Sequence, residues 1–176
     1  MKTILQNDQD TTGEKLRSKP FELVLSQYYT TLPYATARTF YDAGHKRIIL
    51  HLYTDDHATY SHSALKYSKK QDQFQVMVGK RYRQELNVDT GDTVMAYLTE
   101  DRSKYQAPMP EELEAVLLSD YDGFELFESL KPGLQRNIIF YIHRFKDSQK
   151  RIDRSLLIME RLKQGTRSLK ELTKAG

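Results

Sequence analysis

Two stretches of this chain resemble each other at a spacing of 46–47 residues, and that spacing constrains the fold more than any other feature. The first runs from Leu32 through Phe40, Asp42-Ala43-Gly44 and Ile48 to Leu50 and Leu52. The second runs from Val78 through Leu86, Asp89-Thr90-Gly91 and Val94 to Ala96 and Leu98. Each reads as a strand end, one or two helical turns, a D-x-G turn and a further strand. The glycine supplies positive φ where a short helix ends and reverses into a strand, and the aspartate two residues earlier bonds the turn's backbone amides. Asp42, Gly44, Asp89 and Gly91 are therefore expected as structural turn residues. Two such units interleave naturally into one closed barrel with a pseudo-twofold axis, and closure removes the exposed edges of short strands.

The flanking pattern agrees. Phe21, Leu23 and Leu25 alternate with Glu22, Val24 and Ser26, as in a half-buried strand. Further short strands rich in β-branched and aromatic residues are expected at Arg47–Tyr53, His57–Ala64, Gln73–Val78 and Asp92–Thr99. Beyond residue 100 the period becomes helical. Pro110 opens one helix with Glu111, Glu112 and Glu114 at its positive end. Asp120 caps a second bearing Phe124, Phe127 and Leu130. Pro132 opens a third with Leu134, Ile138, Ile142 and Phe145 on one face. Ser148 caps a fourth with Ile152, Leu156, Met159 and Leu162 on one face, and Gly165 stops it. The expected organisation is a flexible tail (1–17), a β-barrel domain (18–101), a linker (102–110), a helical module (111–165) and a basic tail (166–176), an α+β chain.

Charge is uneven. Residues 1–98 carry net +2, residues 99–130 net −7 and residues 131–176 net +8, within an overall +3. Complementary packing of the acidic and basic segments is the simpler reading, and an anionic partner for the basic segment is the alternative. No apolar run approaches the ~20 residues of a membrane span, and residues 1–20 lack the apolar core of a secretory signal. There is no cysteine, which excludes disulfides, zinc–thiolate sites and a thiol nucleophile and fits a cytoplasmic location.

Few motifs carry chemistry. His57 and His62, near Asp55 and Asp56, fall in one expected strand and point to opposite sides; His45, His51 and His143 have no chelating spacing, so no metal and no cofactor is expected. There is no G-x-S-x-G, G-x-G-x-x-G or phosphate loop, so no catalytic residue is assigned and an enzyme ranks last. Lys80-Arg81-Tyr82-Arg83 combines cations with an aromatic ring, a pattern suited to nucleic acid; a solvated face with Tyr82 turned inward is the simpler reading and the one favoured. In the helical segment, Arg144, Lys146, Arg151 and Arg154 contact either an anion or helix C-terminal carbonyls and the acidic helices. Lys80, Arg81, Arg83 and these four are the candidate anion or nucleic-acid contacts.

Residues Tyr121 to Gly165 resemble the YdeI/OmpD-associated, or bacteriocin-protection, family. The resemblance rests on Phe127 and Leu130, Pro132, the aromatic-rich Ile139-Phe140-Tyr141-Ile142, Lys146, Arg151-Ile152, and Leu162 with Gly165. The preceding Phe21–Asp101 is similar to an uncharacterised bacterial domain often fused ahead of that family. That domain is a double-split β-barrel related in shape to AbrB/MazE-type DNA-binding proteins, and Leu86-Asn87-Val88-Asp89-Thr90-Gly91-Asp92-Thr93-Val94 is the most specific part of the likeness. The resemblance implies a link to bacteriocin tolerance or the cell envelope and brings no catalytic residue. Those barrels pair two copies between chains; with both copies in one chain, a monomer or weak dimer is expected. The leading expectation is a non-enzymatic binding or interaction protein with a protein or small-molecule partner. A nucleic-acid binder using the barrel and the basic C-terminal helices is the alternative.

Overall fold

The computed structural model describes residues 13–174. The backbone forms two compact units, one ending at Arg102 and the other starting at Ser103. The architecture is mixed α+β.

The first unit contains β1 (Phe21–Val24), β2 (Tyr29–Thr31), α1 (Tyr34–Asp42), β3 (Arg47–Tyr53), β4 (Ala58–Ala64), β5 (Lys66–Ser68), β6 (Gln73–Met77), α2 (Lys80–Glu85) and β7 (Thr93–Glu100). Four strands form one antiparallel sheet in the order β1-β7-β3-β4, and three form another in the order β2-β6-β5. The sheets do not close into the single barrel expected from the sequence. Two strands of the smaller sheet, β2 and β5, have only three residues each, too few to carry a ladder around a full barrel. Instead α1 lies against β6 and α2 against β4.

The ladder registers are informative. In the larger sheet Leu50 pairs Leu98, His51 pairs Tyr97 and Leu52 pairs Ala96. In the smaller sheet Thr30 pairs Val76. His51/Tyr97 and Thr30/Val76 are both 46 positions apart, and so are the first residues of α1 and α2, Tyr34 and Lys80. All ten apolar positions matched at the 46-residue spacing, from Leu32/Val78 to Leu52/Leu98, belong to one core that both sheets share.

The two D-x-G turns do different work. Gly44 has φ +89 and ends α1, with the His45 amide donating to the Phe40 carbonyl at 2.9 Å. Helix α2 is shorter by three residues, and Asn87 ends it at φ +54, with the Val88 amide donating to the Arg83 carbonyl at 3.0 Å. Gly91, φ +95, lies in a separate turn from Asp89 to Asp92, where its amide donates to the Leu25 carbonyl at 2.8 Å. Asp89 accepts the Thr90 amide at 2.7 Å, as expected. Asp42 is paired instead with Arg38, its neighbour one helical turn back, at 2.9 Å. The N-terminal tail is shorter than expected: the Ser18 amide donates to Leu98 O (2.9 Å), and the Glu100 amide to Leu16 O (3.0 Å). The rest of that tail, residues 1–12, lies outside the described residues.

The second unit contains α3 (Glu111–Ser119), α4 (Tyr121–Glu128), α5 (Pro132–His143), α6 (Ser148–Lys163) and α7 (Leu169–Leu172). Its core includes Leu113, Leu117, Phe127, Ile138, Ile142, Ile158, Met159 and Leu162. Asp120 caps α4 by accepting the Gly123 amide at 3.0 Å. Gly123 is required there, because a Cβ would stand 2.8 Å from Asp120 Oδ2 and 3.2 Å from Met159 Cβ. Pro132 opens α5 as expected, and Gly165, φ +88, follows the end of α6.

Several expectations are corrected. Asp147, not Ser148, caps α6, accepting the Lys150 amide at 2.7 Å. Leu156 is 50% exposed, because the packed face of α6 runs through Ser155, Ile158, Met159 and Leu162. Phe145 lies beyond the end of α5. The stretch expected as a linker contributes Tyr105 and Ala107 to the core; the Tyr105 hydroxyl donates to Glu128 at 2.5 Å. The expected basic tail contains α7, which buries Leu172 completely. Among the described residues no helix is long and apolar enough to cross a membrane.

Candidate functional site

Strand alternation puts two kinds of residue on the two faces of the larger sheet. Ile48, Leu50 and Leu52 of β3 and Val94, Ala96 and Leu98 of β7 face the core. The opposite face receives Ile49, His51 and Tyr53 from β3, and beside them on β7 stand Thr99, Tyr97 and Met95. β4 places His62 beside Ile49 and Tyr60 beside His51. The result is a histidine- and tyrosine-rich surface at the centre of a four-stranded sheet.

Its geometry is specific. The His51 ring lies flat on Tyr97, with centroids 4.2 Å apart and planes within 5°. His51 Nε2 is 3.0 Å from the buried Thr99 Oγ1. The Arg17 guanidinium covers the Tyr97 ring at 4.2 Å. Burial, and then the nearby charges of Lys15, Arg17 and His62, hold the His51 imidazole below its ordinary pKa, so the neutral ring is favoured. His62 Nδ1 stands 2.6 Å from Asp101 Oδ2, and that carboxylate side chain is fully buried. Next along the strand, Glu100 accepts from His45 at 3.0 Å. Glu100, the last residue of β7, and Asp101, directly after it, are thus each held by a histidine from elsewhere in the same unit.

A cleft of about 530 Å³ opens at one end of this face, where β3 turns into β4. The turn is pinned by the Thr54 amide donating to His57 O at 2.8 Å and the His57 amide donating to Thr54 Oγ1 at 3.2 Å. That pinning projects Asp55 and Asp56 from the tip. The cleft is walled by Tyr53, Tyr60, His51 and Tyr97 and rimmed by the two aspartates. Tyr60 is 57% exposed. His57 lies in the turn rather than in the strand, so His57 and His62 do not share the strand expected of them.

The basic residues singled out from the sequence are dispersed. Lys80 begins α2 and is exposed; Arg81 pairs with Glu85 at 2.7 Å. Arg83 Nη1 donates to Thr90 Oγ1 at 2.7 Å. Tyr82 packs inward against the core, and burial raises its phenol pKa. In the second unit the Arg144 guanidinium lies 4.3 Å from the Tyr141 ring centroid and 5.2 Å from that of Phe145. Arg151 Nε donates to Phe145 O at 2.7 Å, beyond the last turn of α5, and Arg151 pairs with Glu112 of α3 at 3.4 Å. Lys163 pairs with Asp120 at 3.0 Å, the Gly123 amide and then Lys163 lowering the aspartate's pKa. Lys146 is exposed and Arg154 half-buried on α6. The sequence reading missed the cleft because its walls come from three strands whose register only the folded sheet defines. The one legible signal was the outward set His51, Tyr53, Tyr60 and Tyr97 at alternate strand positions.

Comparison with known proteins bears on the second unit. Residues 106–165 match the family model described as Bacteriocin-protection, YdeI or OmpD-Associated. The match contains residues 121–165, where the sequence resemblance was drawn, and extends it N-terminally to span α3 to α6. No curated protein matches the chain. Among solved structures, the solution structure of PHS018 from Pyrococcus horikoshii is similar at 17% identity and a TM-score of 0.33, over 47% of this chain and 94% of that one.

Proposed function

We propose that the protein is a non-enzymatic binding protein whose recognition surface is the cleft at the β3–β4 turn. One observation carries the reading: about 530 Å³ of concave surface is walled by tyrosine and histidine side chains. Rigid aromatic walls with a few polar groups at the rim are typical of ligand sites. The match of residues 106–165 to a bacteriocin-protection family supports a role in bacteriocin tolerance or envelope stress. A cytoplasmic location and a monomer or weak dimer complete the proposal.

The proposal extends to the origin of the cleft. Residues 32–52 and 78–98 are two copies of one unit, and the first domain is an opened variant of the double-split, AbrB/MazE-like barrel. The supporting fact is that both ladders pair residues 46 positions apart, at His51/Tyr97 and Thr30/Val76. A twofold axis through both pairs relates the copies. Read this way, the His51–Tyr97 stack lies on the axis, and the cleft forms where the β3 copy extends into a hairpin.

A thermal-shift panel of small amphipathic compounds tests the binding claim. Ligands that bind only the folded state raise the melting temperature. Compounds that stabilise the wild type are expected to lose their effect on Tyr60→Ala. Hits that stabilise Tyr60→Ala equally, or a panel without hits, contradict the reading.

A further inference from the structure

We infer that the cleft selects a guanidinium or ammonium group, such as the head of an arginine or lysine side chain or of a small organic amine; the inference rests on the cleft being the recognition site. Three observations converge. The first is charge. Asp55 and Asp56 are both exposed at the rim, and neither takes part in an ion pair among the described residues. Each therefore keeps its full charge toward the cleft, uncompensated by a cation of the chain among the described residues. The second is the walls. Tyr53 and Tyr60 present aromatic rings beside those carboxylates, and an aromatic face attracts a cation through its quadrupole. Neither ring is covered by a cation of the chain among the described residues. The third is a built-in precedent. The same sheet face already seats one guanidinium, that of Arg17 on Tyr97 at 4.2 Å.

Arg17 also sets polarity. Its charge repels a second cation at the Tyr97 end, leaving the Tyr53–Tyr60–Asp55–Asp56 end as the attractive pole. A planar guanidinium stacks on a ring and still donates in its plane to a carboxylate; an ammonium does the same as a point charge. The cleft is open, so its contacts are partly screened, and the expected affinity for a single head group is millimolar.

The test is calorimetric titration of the full chain with N-acetyl-arginine amide, an arginine-containing tetrapeptide, putrescine, and N-acetyl-glutamate amide as the anionic control. The three cations are expected to bind with an affinity that falls as salt is raised, and the control is expected not to bind. Asp55→Asn with Asp56→Asn, both on an exposed turn, is expected to weaken cation binding several-fold. Tyr60→Phe is expected to retain it and Tyr60→Ala to lose it. Tighter binding of the tetrapeptide than of the other two identifies a peptide as the source of the head group; tighter binding of putrescine identifies a small amine. Cation binding unchanged in the double asparagine variant overturns the inference. So does binding of neutral amphipathic compounds at the cleft without binding of cations, which leaves the recognition site itself standing. If no class of compound binds there, both readings fall.

Discussion

At the scale of single residues, the site is organised by one histidine. His51 is stacked on Tyr97, bonded to Thr99 and half-buried. Its pKa is lowered, by burial first and then by neighbouring cations. The unfolded chain therefore binds more protons than the folded one as pH falls through the ordinary value of 6.5. Stability from this residue is present above that value, is lost between it and the lowered folded pKa, and then levels off. Urea midpoints measured across the acidic range are expected to fall more steeply with acid in the wild type than in His51→Gln; parallel curves contradict the assignment. Little of this was legible in the sequence. The alternation Arg47-Ile48-Ile49-Leu50-His51-Leu52-Tyr53 gave the strand and its outward residues. The stacking partner is set by the register to β7, and a stretch 46 positions away cannot be aligned by alternation alone. Asp101 shows the same limit: it read only as the last residue of the barrel domain, with no partner assigned, yet its side chain is fully buried against His62.

At the scale of elements, the sequence was most legible where local chemistry dictates structure. The Asp120 cap, the Pro132 start and the Gly165 stop need only nearest neighbours, and all three hold. The third strand was read at its observed bounds because its apolar face is unbroken. The miss is instructive at α2. Gly91 drew attention as the helix terminator because glycine adopts positive φ freely, whereas Asn87 does the work at φ +54. Asparagine tolerates the left-handed region better than most residues. Asn87→Ala is therefore expected to destabilise by about 1 kcal/mol, while Asn87→Gly is expected to be neutral or stabilising. Chemical denaturation of the two variants measures the difference. Equal effects would place the end of α2 elsewhere.

At the scale of the whole molecule, two separate cores account for the two halves of the sequence pattern. One is fed by both sheets of the first unit and the other by the helices of the second. The charge pattern is used within the second unit. Arg151 reaches Glu112, and Lys163 reaches Asp120, each joining the basic α6 to an acidic helix. Partly exposed, solvent-screened pairs of this kind contribute about 1 kcal/mol or less, so packing around Phe127 holds the unit and charge selects its arrangement. The likeness to a bacteriocin-protection family lies in this second unit, whereas the cleft lies in the first. The central claim is that recognition belongs to the cleft. Amide chemical-shift mapping of the isotopically labelled full chain, titrated with N-acetyl-arginine amide, tests it most directly. The account predicts shifts concentrated at residues 51–60 and at Tyr97, absent in Tyr60→Ala. Shifts centred on Lys80–Arg83 or on residues 103–174, with 51–60 unmoved, would contradict it.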